Sequence, residues 1–166
     1  MAEISDGRRR EQGPLLDDLA AVGVDIDWVG GLLSNPAPDA RIYPILLTHL
    51  RRSYSPWLLE WIGRAFGAKS ARPLVWDTLV GLLKGHQLEE GAADGVMVAI
   101  SEMATPRDLP TLINLVTDGS LGGRRVYLVR NLMRSKKPEA LASILGLCDD
   151  PDLAKEIKAR LARSGG

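Results

Sequence analysis

The sequence predicts an all-α protein, a right-handed α-solenoid of stacked helix pairs with about ten helices. Three observations carry that expectation. Pro73, Pro106 and Pro138 stand 33 and 32 residues apart, and proline is at home in the first turn of a helix, where its missing N–H has no acceptor to lose. The positions three, six, seven, nine and ten residues after each proline are apolar in all three copies, which is the pattern of one helix face. A second helical stripe follows each of these, and no stretch alternates polar and apolar long enough to suggest a strand.

From the N-terminus, residues 1–12 are polar, of mixed charge and without a helical stripe, so they are expected to be mobile, as are Ser164, Gly165 and Gly166. A single repeat domain is expected over 13–163. It opens with a capping pair at 13–35, with Leu15, Leu16, Leu19 and Ala20 on one short stripe and Ile26, Val29, Leu32 and Leu33 on another. Four helix pairs follow, at 38–66, 70–104, 105–135 and 137–163. Their first helices carry Tyr43, Leu46, Leu47, His49 and Leu50; then Trp76, Leu79, Val80, Leu82 and Leu83; then Leu109, Leu112, Ile113, Leu115 and Val116; then Leu141, Ile144, Leu145, Leu147 and Cys148. The second helices carry Leu58, Ile62, Ala65 and Phe66; Val96, Ile100 and Met103; Leu128, Val129, Leu132 and Met133; and Leu153, Ile157 and Leu161. Ser55 before Pro56, Thr105 before Pro106 and Asp150 before Pro151 place a capping side chain ahead of a helix-opening proline. A pair of such helices cannot bury its apolar face alone, so neighbouring pairs must stack.

Composition narrows the function classes. The 166 residues are 45% apolar and 25% charged, enough for a core of their own. Lys plus Arg and Asp plus Glu number 21 each, so no overall field draws the chain to nucleic acid or an anionic membrane. The longest apolar runs, such as Val96 to Ile100, are far shorter than the ~20 residues of a membrane span. Arg8, Arg9 and Arg10 are followed by no apolar segment of a targeting signal, and a cytoplasmic protein is expected. The lone Cys148 cannot form an internal disulfide.

These stripes, with segments such as Leu15-Leu16-Asp17-Asp18-Leu19 and Ile62-Gly63-Arg64-Ala65-Phe66, resemble the short bacterial HEAT-like repeat proteins from Leu15 onward. The resemblance implies an all-helical superhelix. Its functional implications are broad, since such arrays serve as scaffolds, inhibitors, immunity proteins and, in one branch, DNA glycosylases. The period of 32 or 33 is shorter than the roughly 40 to 47 residues of longer HEAT units. A tetratricopeptide array has nearly this period, but its Trp, Leu-Gly and Tyr signature is missing from the first helices.

In such arrays the second helices line the concave surface. On the helix at 54–66, Leu58, Ile62, Ala65 and Phe66 cluster on one side, while Tyr54, Trp57, Trp61 and Arg64 gather a quarter-turn or more away. Trp, Tyr and Arg are the residue types of interaction hot spots. The two indoles have two readings, an exposed binding surface or packing against helix 26–34 or the helix from Ala40. The same flank of the next second helix holds Gly91, Gly95, Ala99 and Glu102, and of the third Ser120, Arg124, Tyr127, Asn131 and Arg134. Together they suggest a groove with an aromatic wall, a narrow floor ending in Glu102 and an arginine-bearing wall, fit to hold a protein or peptide. The expected binding residues are therefore Tyr54, Trp57, Trp61, Arg64, Glu102, Arg124, Tyr127, Asn131 and Arg134. Each arginine has the alternative of a solvated helix face. Seven cations against Asp108 and Asp118 leave 106–138 at +5, a block able to meet an acidic protein or a phosphate backbone.

No catalytic constellation, metal site or cofactor is expected. His49 falls on a core stripe and reads as a satisfied core histidine; His86 lies in a connection with no nucleophile near it in sequence. Asp149, Asp150 and Asp152 read as helix-start residues rather than metal ligands, as do Asp25 and Asp27. Gly30-Gly31 and Gly122-Gly123 lack the further glycine or lysine of a nucleotide loop. The leading expectation is a non-enzymatic interaction module, a toxin-immunity protein or small scaffold, of open oligomeric state. The alternative is a HEAT-like glycosylase acting on alkylated bases, with Trp57, Trp61, Glu102 and Arg124 along its groove; zero net charge speaks against a surface that wraps duplex DNA.

Overall fold

A computed structural model describes residues 4–165 of the chain. Residues 1–3 and Gly166, read above as mobile ends, lie outside the described residues. The described chain is all-helical, with no strand. The 13–163 span, read as one repeat domain, falls within two compact units, Met1–Met103 and Ala104–Gly166.

The first unit holds α1 (Asp6–Glu11), α2 (Gly13–Ala21), a 3-10 helix (Val29–Ser34), α3 (Ile42–Leu50), α4 (Pro56–Arg64), a 3-10 turn (Lys69–Ala71), α5 (Arg72–Lys84) and α6 (Glu90–Met103). The expected pairs 38–66 and 70–104 are thus α3 with α4 and α5 with α6, each packed on its partner. Most of their stripe positions are buried: Leu46, Leu58, Ile62, Leu79, Val96 and Ile100 are wholly inside, while Leu47 and Val80 are half-buried. Each such side chain contributes about 2 kcal/mol by leaving water. Tyr43 stacks on Phe66 at 6.1 Å. Burial pushes the Tyr43 hydroxyl above its ordinary pKa.

Two N-terminal expectations give way. Asp6–Glu11, expected to lack a helix, forms α1, with Ser5 as its N-cap, Asp6 in its first turn and three arginines in its last. That order of charges suits the helix dipole. The segment is docked, because Gln12 is fully buried and its Oε1 accepts the Val29 N–H at 2.9 Å. The second member of the capping pair is a 3-10 helix rather than an α-helix, and Leu33, expected on its stripe, is 45% exposed. Neither Asp25 nor Asp27 caps it; Trp28 holds the cap position and Gln12 supplies the acceptor from seventeen residues away.

The second unit holds a 3-10 turn (Pro106–Asp108), α7 (Leu109–Val116), a kinked 3-10 segment (Gly119–Arg125), α8 (Val126–Arg134), α9 (Pro138–Gly146) and α10 (Ala154–Ser164). Thr105 and Asp108 close a capping box at its start. α7 and α9 both pack on α8 and on each other, and α10 packs on α8. In the last first-helix copy, Leu141 and Leu145 depart from the expected core stripe: they are 53% and 56% exposed. Cys148, expected in the core, is half-buried with its thiol donating to the Ile144 carbonyl at 3.5 Å.

The largest wholly buried side chain of the second unit is an arginine, which its sequence position beside Arg124 conceals. Arg125 is 1% exposed. Its Nε donates to the Gly122 carbonyl at 2.8 Å, Nη1 to the Val116 carbonyl at 2.9 Å, and Nη1 and Nη2 to the two Asp150 oxygens at 3.0 Å each. Nη2 also reaches Asp152 at 3.2 Å. Gly122 turns its carbonyl inward by adopting φ +67°, a region that suits glycine. Asp150 does cap the turn after it, accepting the Asp152 N–H at 2.9 Å, but α10 itself begins only at Ala154. The guanidinium holds the Asp150 carboxyl below its ordinary pKa.

Candidate functional site

The expected aromatic flank is built on α4. Ser55 is the N-cap, its hydroxyl accepting the Leu58 N–H at 3.4 Å, and Pro56 opens the helix. The cap is itself held by Glu11, whose carboxylate accepts from the Ser55 N–H and, at 2.8 Å, from the Ser55 hydroxyl. A negative charge therefore sits at the positive end of α4. The same α1 that ends in Glu11 brings the Arg8 guanidinium over the Trp57 ring, 4.7 Å from its centre. One turn along, Trp61 meets Trp28 edge-on, with centroids 5.0 Å apart at 70°. Arg64 lies 5.6 Å from the Trp61 ring centre and pairs with Glu60 at 2.7 Å.

Trp57 and Trp61 are both half-buried, so each indole packs on one side and meets water on the other. Of the two readings, Trp61 follows the packing one toward the 26–34 segment, through Trp28. Trp57 is covered in part by a cation from the segment read as mobile. Tyr54, also half-buried, stacks on His49 at 5.9 Å and shares a 2.8 Å hydrogen bond between its hydroxyl and Nδ1. The other ring nitrogen, Nε2, meets Asp18 at 2.6 Å. His49 is wholly buried with both nitrogens occupied, as a core histidine should be. The Asp18, His49 and Tyr54 chain ties α2, α3 and the approach to α4 together.

The narrow floor is corrected by the structure. Gly91 and Gly95 are buried against α4, and Ala99 is buried beside Gly67 just past its end, none of them open beside the helix. A Cβ on Gly95 would stand 2.1 Å from the Glu60 carbonyl oxygen, and one on Gly91 2.5 Å from that of Pro56. From the other side, a Cβ on Gly63 would stand 2.6 Å from the Val96 nitrogen. The small residues let two helix backbones touch and leave no floor for a ligand. Glu102 is exposed at the far end of α6, its Cβ 3.5 Å from where a Cβ on Gly67 would lie, and Lys69 Nζ donates to its carbonyl at 3.3 Å.

The second unit presents its own row. Tyr127, Asn131 and Arg134 follow at helical spacing on α8, with Arg124 just before it; the first two and Arg124 are half-buried and Arg134 is exposed. Arg124 donates to the Leu121 carbonyl at 3.0 Å. Arg125, counted among the cations of the +5 block, is withdrawn into the core.

Scanned against protein-family models, curated proteins and solved structures, the chain matches none. Among the described residues no helix is long and apolar enough to cross a membrane, and no group of three or more His, Cys, Asp or Glu is placed to hold a metal ion. Arg8, Glu11 and Trp28 are the residues of the α4 surface that sequence reasoning missed. Ser5 ahead of Asp6, with basic residues a turn later, was the available signal for α1; nothing local signals that Glu11 reaches a helix start 44 residues on.

Proposed function

We propose that the chain is a non-enzymatic protein-interaction module built of HEAT-like helix pairs, with the α4 flank of Tyr54, Trp57, Trp61 and Arg64 as its principal contact surface for a protein or peptide. The observation that carries the reading is the pair of half-buried indoles, each with an arginine over its ring. Such rings offer large contact area already ordered before binding, and the arginines offer charge to set register. Supporting the stacked-pair reading, the second helices α4 and α6 lie against each other, as do the first helices α7 and α9. Arg124, Tyr127, Asn131 and Arg134 form a further polar surface in the second unit, and Glu102 an acidic one in the first. An immunity protein or a small scaffold is the class this suits.

The test is a peptide-display selection on the whole chain, followed by titration of the selected peptides against Trp57→Ala and Arg124→Ala. The reading expects Trp57→Ala to weaken binding at least tenfold while the melting temperature moves little. A large fall in melting temperature with binding intact assigns Trp57 to packing instead. Binding of alkylated duplex at low salt, with base release lost in Glu102→Gln, would favour the glycosylase alternative. A one-to-one complex with a protein encoded beside this chain would single out the immunity role from the scaffold role.

A further inference from the structure

Arginines from two separate segments collect around the start of α4. Arg8, Arg9 and Arg10 lie in the last turn of α1, and Arg51 and Arg52 follow the end of α3; all are exposed. One contact brings the two groups together. Glu11, the residue after Arg10, accepts from the N–H and the hydroxyl of Ser55, three residues after Arg52. Arg8 lays its guanidinium over the Trp57 ring. The neighbouring acids do not neutralise this charge: Glu11 serves Ser55, Asp18 serves His49, and among the described residues no carboxylate forms an ion pair with any of these arginines. Elsewhere Arg41, Arg64, Arg125, Arg160 and Arg163 each hold a carboxylate. Arg9 and Arg10 are also steadied by the chain itself, through Nε alone, to the Ile4 carbonyl at 3.2 Å and the Asp6 carbonyl at 3.4 Å. A guanidinium so held keeps its two terminal nitrogens for a partner and has less freedom to lose on binding.

We propose that the partner of the α4 surface is an acidic protein segment, whose Asp and Glu carboxylates seat on the arginines of α1 and of the α3–α4 turn beside Trp57. The inference rests on α4 as the contact surface and adds the chemistry of what it holds. A guanidinium fork takes a carboxylate through two parallel bonds, and uncompensated positive charge draws an acidic chain and sets its register. Single-stranded nucleic acid is the other polyanion to weigh, and it needs ring faces on which its bases can stack. Here Trp57 lies under Arg8, Trp61 meets Trp28 and Arg64, and Tyr54 stacks on His49, so each ring is already engaged. Glu89 and Glu90 precede Gly91, which abuts Pro56, and their charge turns an acidic chain away from α6 and toward α1.

Fluorescence anisotropy of the 166-residue chain at low salt tests this with three labelled probes. They are a twelve-residue peptide of alternating Glu and Ser, the same peptide with Gln for Glu, and single-stranded thymidylate of twelve nucleotides. The acidic peptide is expected to bind at least tenfold more tightly than either of the others, and to weaken as salt rises. Arg8→Gln with Arg9→Gln, and separately Arg51→Gln with Arg52→Gln, should each weaken it at least threefold with unchanged helix content. Arg41→Gln with Lys69→Gln, which removes two cations at the far ends of α3 and α4, should leave it intact. No preference for the acidic peptide, equal or tighter binding of thymidylate, or equal loss in the control variant would overturn the proposal. Peptides from the display selection that need Trp57 yet ignore both arginine variants would overturn it too, while leaving α4 as the contact surface. Loss of binding in the arginine variants but not in Trp57→Ala would uphold the acidic partner and move the contact from α4 to α1.

Discussion

Gly95 of α6 and Glu60 of α4 touch through their backbones, the position of a Cβ on Gly95 lying 2.1 Å from the Glu60 carbonyl oxygen. Gly81, in the last turn of α5, has no heavy atom within 4 Å of where its Cβ would lie. The two glycines should therefore respond in opposite senses to one added methyl group. Gly95→Ala forces the helices apart and is expected to cost about 3 kcal/mol or more. Gly81→Ala removes only the flexibility of glycine within a helix and is expected to stabilise by about 0.5 to 1 kcal/mol. Urea denaturation followed by circular dichroism checks both, and equal destabilisation would mean that α4 and α6 are not in backbone contact.

Removal of either end of the Arg125 cluster should not cost the same. Asp150→Ala leaves a guanidinium buried with half its ion pairing gone, an expected loss of about 3 kcal/mol. Arg125→Met removes the buried charge along with its need for partners and is expected to cost clearly less, since the two aspartates can turn to water. Comparing the denaturation midpoints of the two variants decides the point.

Acid should weaken the same cluster. Arg125 holds the folded Asp150 pKa below its unfolded value, so the carboxylate's contribution is complete above the ordinary aspartate pKa of about 4 and is lost as pH falls through the lower folded value. Wild type is expected to lose stability below about pH 4 more steeply than Asp150→Asn, whose side chain does not titrate. Urea midpoints between pH 7 and pH 2 measure the difference; parallel curves would remove Asp150 from the acid response.

His49 is wholly inside and depends on Tyr54 for one of its two hydrogen bonds. Tyr54→Phe leaves Nδ1 of a buried ring without its partner, an expected loss of about 1 to 2 kcal/mol. Asp18→Asn keeps an oxygen able to accept from Nε2 on a half-exposed side chain and should cost less than about 1 kcal/mol. Thermal melts of the two single variants and the double variant give the coupling between them.

Much of the helical framework was legible in the residues because helix periodicity and proline starts are local signals. Most stripe positions from Leu46 to Val129 lie inside, with Leu47, Val80 and Ile113 half-buried, and Ser55 and Thr105 cap where their prolines indicate. The candidate surface was legible only in outline. Spacing put Tyr54, Trp57, Trp61 and Arg64 on one flank of a helix, but the floor of small residues was misread, because Gly91 and Gly95 look the same in a sequence whether they border a cleft or admit a second helix. α1 was missed because its stability comes less from an apolar stripe than from Glu11, Gln12 and Arg8 reaching Ser55, Val29 and Trp57.

By itself, the chain's sequence determined its helical character, the order of its main helices and which faces are apolar, since each depends on side chains three or four residues apart. Tertiary structure alone decided that Arg125 is core, that Asp150 serves it, that His49 joins Asp18 to Tyr54, and that α9 keeps a bare stripe. Those outcomes depend on what lies opposite each side chain, and contacts across 25 or 31 residues carry no periodic trace along the chain.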